Sequence, residues 1–225
     1  MDLPFGLHKL EDSSRNPDHI LIGVHGFKGL GREWVTPFLE WNNEATDLYF
    51  LRWNYFARQS KARELLLTEL ASLLTETPAD VRLTFVGHSC GGVLLTSILE
   101  QLSYPNSIDV HLVASPLAGL GLFTVCKPDL PEQLPDNITL THWQTQQKVD
   151  KVFWYFPKNP QEVDFAPIEV IVLPRKSDDT IVGHVHSLAW VAKEMVRRQP
   201  AIYGSTYLKK SETVQDTVRT ETPRL

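Results

Sequence analysis

Leu83-Thr84-Phe85-Val86-Gly87-His88-Ser89-Cys90-Gly91-Gly92-Val93-Leu94-Leu95 is the stretch that decides the fold. Its first half belongs to a run from Val81 to Val86 that reads as a short buried strand. Its second half opens an apolar helix from Val93 to Leu102, carrying Leu94, Leu95, Ile98 and Leu102. Between them, Gly87-His88-Ser89-Cys90-Gly91 is a G-x-S-x-G pentapeptide. Two glycines and a serine at this spacing say little alone. A strand that ends on them and a helix that begins on them say much more, because that setting puts a serine on a tight, strained turn with its hydroxyl available. Small neighbours are needed where strand and helix converge, and Gly87, Gly91 and Gly92 leave that room. The helix N-terminus behind Ser89 favours negative charge developing beside it. The bland alternative is a structural glycine turn ahead of a helix.

On either side of this stretch, strand and helix patterns alternate. His19 to His25 and Leu48 to Trp53 read as strands, with a helical stretch from about Arg32 to Glu44 between them. Ala62 to Leu74 carries Leu66, Leu70, Leu73 and Leu74 at helical spacing. Asp109 to Ala114 and Glu169 to Leu173 are further strands. Ser187 reads as the cap of a last helix with Leu188, Val191, Ala192, Met195 and Val196 on its apolar face. The alternation predicts an α/β fold with a mainly parallel central sheet and helices on both faces. One domain over 1–210 is expected, with 117–165 as an excursion from the sheet that could form a pocket or lid, and 211–225 as a polar tail.

At these residues the chain resembles the α/β-hydrolase superfamily, most closely its compact lipases and esterases. The resemblance rests on the Ser89 pentapeptide, on Val24-His25-Gly26-Phe27 at the end of the first clear strand, and on Ser177-Asp178-Asp179-Thr180-Ile181-Val182. It implies Ser89 as nucleophile, and an oxyanion hole made by the backbone N–H groups of Phe27 and Cys90. It gives His25 a loop-ordering role and not a catalytic one. It also implies Asp179 as the acid, three residues before Val182 in a D-x-x-V pattern, with Asp178 facing solvent or capping the loop. The alternative for Asp179 is an acidic surface turn.

The sequence departs from the family pattern at the histidine. The family's catalytic histidine usually follows one further strand after the acid, yet only His184 and His186 come after Asp179. Ala201 to Leu208 could form a final strand, but no histidine follows it. The order Ser89, Asp179, then His186 or His184 still obeys the superfamily's Ser…Asp…His order. His186 is preferred, because it sits just before the capped helix and further from the acid's own turn. A metal site at His184-Val185-His186 is the other reading, but Ser187-Leu188-Ala189 add no ligand, so no metal is expected.

Composition narrows the function. The chain has 225 residues, 42% of them hydrophobic, enough for a full core without staples. Its 22 basic and 27 acidic residues give a net charge of −5, which favours neither nucleic acid nor an anionic membrane surface. No apolar run approaches the ~20 residues of a membrane span. Met1 to His8 lacks a secretory pattern, so a cytoplasmic protein is expected, with Cys90 and Cys126 as free thiols. Of the aromatic run Phe153-Trp154-Tyr155-Phe156, some members must be core, since consecutive side chains cannot all face one way. The expected activity is a serine hydrolase acting on a small-molecule ester or thioester, with no cofactor. The competing reading is a hydrolase-fold binding or scaffold protein without a complete triad.

Overall fold

The computed structural model describes residues 3–10, 17–120 and 126–204. The expected polar tail, 211–225, and the second half of the possible final strand at 201–208 lie outside them, while Ala201 to Tyr203 are helical and not a strand. The chain forms β1 (Gly6–Lys9), β2 (His19–Val24), α1 (Val35–Trp41), β3 (Thr46–Arg52) and α2 (Gln59–Glu76). It continues with β4 (Arg82–His88), α3 (Cys90–Thr96), β5 (Ile108–Val113), β6 (Ile138–Gln144) and β7 (Ile168–Val172). A small hairpin of β8 (Lys176–Ser177) and β9 (Thr180–Ile181) precedes α4 (His184–Arg198) and α5 (Pro200–Tyr203). Seven strands form one sheet in the order β1-β3-β2-β4-β5-β6-β7. All pairings are parallel except β1 with β3.

Burial on both sides of the sheet explains why its strands read as apolar runs. Along β2, Ile20, Ile22 and Val24 face one core, which α2 and α3 cover with Leu66, Leu70, Val93 and Leu94. Leu21 faces the other core, built by Trp34, Phe38 and Trp41 with Leu188, Val191 and Met195 of α4. Side chains alternate across a strand, so a strand between two helical layers is largely apolar on both faces. The expected mainly parallel sheet with helices on both faces is therefore the observed one.

Two strands of the main sheet lie beyond the sequence reading. One is β1, a short antiparallel edge. The other is β6, which stands between β5 and β7 inside the interval expected to leave the sheet. Its sequence, Ile-Thr-Leu-Thr-His-Trp-Gln, hides its position: every residue but Thr139 is buried, yet four of the seven are polar. Their partners make that burial tolerable. Trp143 Nε1 donates to His111 Nδ1 at 3.2 Å, and Gln144 Nε2 donates to the Gln161 carbonyl at 3.1 Å. Ser187 is not a cap either. Helix α4 begins three residues earlier, after Gly183, and the Ser187 hydroxyl donates to the His184 carbonyl at 2.8 Å.

Cys90 and Cys126 are joined by a disulfide, which corrects the expectation of free thiols. Their Cα atoms lie 5.1 Å apart, within the span such a bond needs. Such bonds are rare where glutathione keeps thiols reduced, so the bridge lends the cytoplasmic expectation no support. Among the described residues, no helix is long and apolar enough to cross a membrane. The bridge closes a loop across a separation of 36 residues, for which chain-entropy arguments give roughly 3–4 kcal/mol of stability. Cys126→Ser is expected to lower the unfolding free energy by about that amount, measured by denaturant titration. The unfolded, unreduced wild-type protein is expected to show no titratable thiol.

Candidate active site

The carboxyl ends of β2, β4, β6 and β7 point to one side of the sheet, and each leads into a segment of the site. This is where open parallel sheets place their ligands. After β4, Ser89 sits at φ 54° and ψ −123°, a left-handed φ that few non-glycine residues adopt. Its backbone N–H donates to the Val113 carbonyl at 2.8 Å. The strain persists because the surroundings leave no alternative. A Cβ on Gly91 would collide with the Val24 carbonyl, so α3 can start against β2 only with glycine there.

After β2, the loop His25-Gly26-Phe27 closes over the same serine. A Cβ at Gly26 would stand 2.8 Å from Ser89 Cβ, so this backbone touches the elbow directly. His25 is buried and holds the loop from within. Its Nδ1 donates to the Gly26 carbonyl at 2.7 Å, while Nε2 accepts from the Trp53 backbone N–H at 3.2 Å. Trp53 Nε1 in turn donates to the His25 carbonyl at 2.9 Å. Burial pushes the imidazole below its ordinary pKa, in keeping with this neutral, structural placement. Among the described residues, neither the Phe27 nor the Cys90 backbone N–H donates to an acceptor. Both flank Ser89.

After β6, the segment Thr145 to Asp150 delivers a carboxylate that sequence reasoning missed. The Asp150 side chain is fully buried, and its Oδ2 lies 3.2 Å from His184 Nδ1. Thr145 Oγ1 donates to the same oxygen at 2.5 Å. Oδ1 accepts the backbone N–H groups of Val152 at 2.9 Å and Phe153 at 3.3 Å. Burial alone would raise the Asp150 pKa. The hydrogen bonds and charge of His184, with those of Thr145 and Val152, outweigh it and hold the carboxyl below its usual value. Buried Gln161 fastens this segment: Oε1 accepts the Thr145 N–H at 2.9 Å and Nε2 donates to the Thr145 carbonyl at 2.9 Å.

After β7 comes the histidine. His184 opens α4, its ring edge-on to buried Phe153 at 5.0 Å and 4.9 Å from the ring of His88. His88, the neighbour of Ser89, donates from Nε2 to the His184 carbonyl at 3.0 Å. Burial, then the nearby His184, pushes the His88 pKa down to about 3, so it stays neutral in this role. A carboxylate can only accept, so the Asp150 contact places the His184 proton on Nδ1 and leaves Nε2 as the basic nitrogen. The Ser89 hydroxyl makes no hydrogen bond among the described residues.

Two residues expected in the site lie apart from this cluster. Asp179 lies exposed in the β8–β9 turn beside Asp178, which is also exposed; the carboxylate that meets a histidine is Asp150. His186 is exposed on α4, whereas the side chain of His184 is only 11% exposed. Residues two apart on a helix point about 200° from each other, so only one of the pair can face the cleft and the two cannot converge on one ion. Of the aromatic run, Phe153 is buried against His184, while Trp154 and Tyr155 are exposed.

No protein-family model matches the chain, and no curated protein matches it in sequence. Solved structures do match. A lidless α/β serine hydrolase from Xanthomonas campestris aligns with TM-score 0.55 at 14% identity, covering 85% of this chain and 87% of its own. The esterase Est1E from Butyrivibrio proteoclasticus aligns with TM-score 0.54 at 14% identity, covering 87% and 93%. A thioesterase domain from the curacin biosynthetic pathway gives TM-score 0.56 at 15% identity, covering 86% and 97%. The chain has the α/β-hydrolase fold.

Proposed function

We propose that this protein is a serine hydrolase that cleaves a carboxylic ester or thioester through an acyl-enzyme. The observation that carries the reading is the buried Asp150–His184 pair beside a strained elbow serine. His184 Nε2 takes the Ser89 proton as Oγ attacks the acyl carbon, and Asp150 stabilises the imidazolium that results. The backbone N–H groups of Phe27 and Cys90 receive the developing oxyanion. The imidazolium then protonates the leaving oxygen or sulfur as its bond to carbon breaks. Water, deprotonated by the same nitrogen, releases the acid. Ser89 and His184 share no hydrogen bond among the described residues, which fits a site without substrate, where such bonds form or tighten when substrate seats.

The missing Ser89–His184 hydrogen bond is what favours the scaffold reading. A burst experiment separates the two. With p-nitrophenyl acetate, the proposed mechanism gives a burst of p-nitrophenolate approaching one equivalent per chain, with an acetyl group mapped to Ser89 by mass spectrometry. Release no faster than from the denatured protein, with no adduct, supports the scaffold.

A further inference from the structure

A cleft of about 600 Å³ is lined by Phe27 and by Cys90, the residue that follows Ser89 in the chain. That size suits a small organic ligand. One wall is aromatic. The rings of Phe27, Tyr55 and Phe56 form a mutual cluster, with centroids 5.2 Å (Phe27–Tyr55), 5.8 Å (Phe27–Phe56) and 4.6 Å (Tyr55–Phe56) apart. The Cys90–Cys126 bridge and Leu94 contribute the opposite, also largely apolar, lining.

The charges around this cleft run against those of the whole protein. The chain carries −5 overall, yet the cleft is bordered by Arg58, Arg63 and Lys127 against a single acid, Asp129. Arg63 is committed to that acid, with Nη1 3.1 Å from Asp129 Oδ2. Arg58 and Lys127 are exposed and have no ion-pair partner among the described residues. An apolar trough bordered by two uncommitted cations suits an apolar chain that ends in an anion.

The reaction geometry decides which half of the substrate lies there. The leaving atom must take its proton from His184, so the alcohol or thiol half belongs on the His184 side. No residue of the Asp150–His184 side lines the cleft. The acyl half is left to occupy it. Resting on the hydrolase reading above, we propose that the acyl group of the substrate is apolar next to the carbonyl and anionic at its far end. A carboxylate there is held by Arg58 and Lys127, and the planar guanidinium of Arg58 matches its two oxygens.

The test compares two esters with one leaving group and one chain length: p-nitrophenyl hexanoate and the mono-p-nitrophenyl ester of adipic acid. The wild-type protein is expected to favour the adipate ester roughly tenfold in kcat/KM, chiefly through KM, with the ratio shrinking as salt is raised. In the double variant Arg58→Gln, Lys127→Gln the ratio collapses toward one. Turnover of both esters without preference, or a preference that survives in the double variant, overturns the proposal and leaves the hydrolase reading standing. No turnover of either ester, with no acyl adduct on Ser89, overturns both.

Discussion

Ser89→Ala is expected to leave a folded protein whose ester turnover is lower by ~10³-fold or more, the loss that follows removal of one member of a working triad. The hydroxyl makes no hydrogen bond among the described residues, so its removal leaves no partner unsatisfied. Alanine also tolerates the φ of 54° no worse than serine does. Melting temperature therefore stays within a few degrees, and turnover alone collapses. Wild-type hydrolysis by the variant would remove Ser89 from the mechanism.

The second large effect separates two pairs of residues that the sequence cannot tell apart. His184→Ala is expected to cost at least ~10³-fold in kcat, and Asp150→Asn roughly 10⁴-fold, because an amide can donate to Nδ1 and so favour the wrong tautomer. His186→Ala and Asp179→Asn are expected to change turnover by less than about threefold, since both side chains are exposed and away from the Asp150–His184 contact. Steady-state kinetics on one activated ester reads all four. Equal, mild losses at His184 and His186 would mean that neither is the base.

Asp150→Asn also carries a structural consequence. Asp150 gathers hydrogen bonds from Thr145, Val152, Phe153 and His184, and Gln161 braces Thr145 from behind. Asparagine keeps the shape and one acceptor oxygen, so the segment stays ordered and the kinetic loss is read on a folded enzyme. Alanine there would leave several buried donors unpaired and confuse loss of charge with loss of structure.

The elbow was legible because its physics is local. A strand must end, a serine must turn at positive φ, and glycines must admit the helix, all within about ten residues of sequence. The His25-Gly26-Phe27 loop was legible for the same reason. Asp150 was not, and the cause is one strand. Four of the seven residues of β6 are polar although six are buried, so the strand leaves no apolar run to find, and Gln144 bonds to His142 and to the loop after the strand. With β6 uncounted, the Glu169–Leu173 run reads as the strand before the acid, and the histidine is expected one strand further on. In the structure that run is β7, the strand before His184. Counting β6 puts Asp150 in the loop after the sixth strand of the sheet and His184 after the seventh, the order in which the proposed acid and base would follow Ser89.

That His184 and not His186 meets Asp150 turns on a helix boundary. With Ser187 as the cap, both histidines would lie in a loop and either could reach the cleft. Helix α4 starts at His184 itself, and from there helical periodicity turns its neighbour two positions on toward solvent. No residue type in His184-Val185-His186 fixes that boundary. A Cβ at Gly183 would stand 2.9 Å from the Val149 carbonyl, so the residue before α4 lies close against the loop that follows β6.

The central claim is that Asp150 and His184 activate Ser89, and covalent labelling tests it without any choice of substrate. An aryl fluorophosphonate reacts with a serine that a histidine deprotonates, and scarcely with an ordinary hydroxyl. Wild-type protein and the His184→Ala and His186→Ala variants are incubated with the probe, and the label is located by peptide mass mapping. The account predicts stoichiometric label on Ser89 in the wild type and in His186→Ala, and almost none in His184→Ala. An unlabelled wild type, or undiminished labelling of Ser89 in His184→Ala, would contradict it.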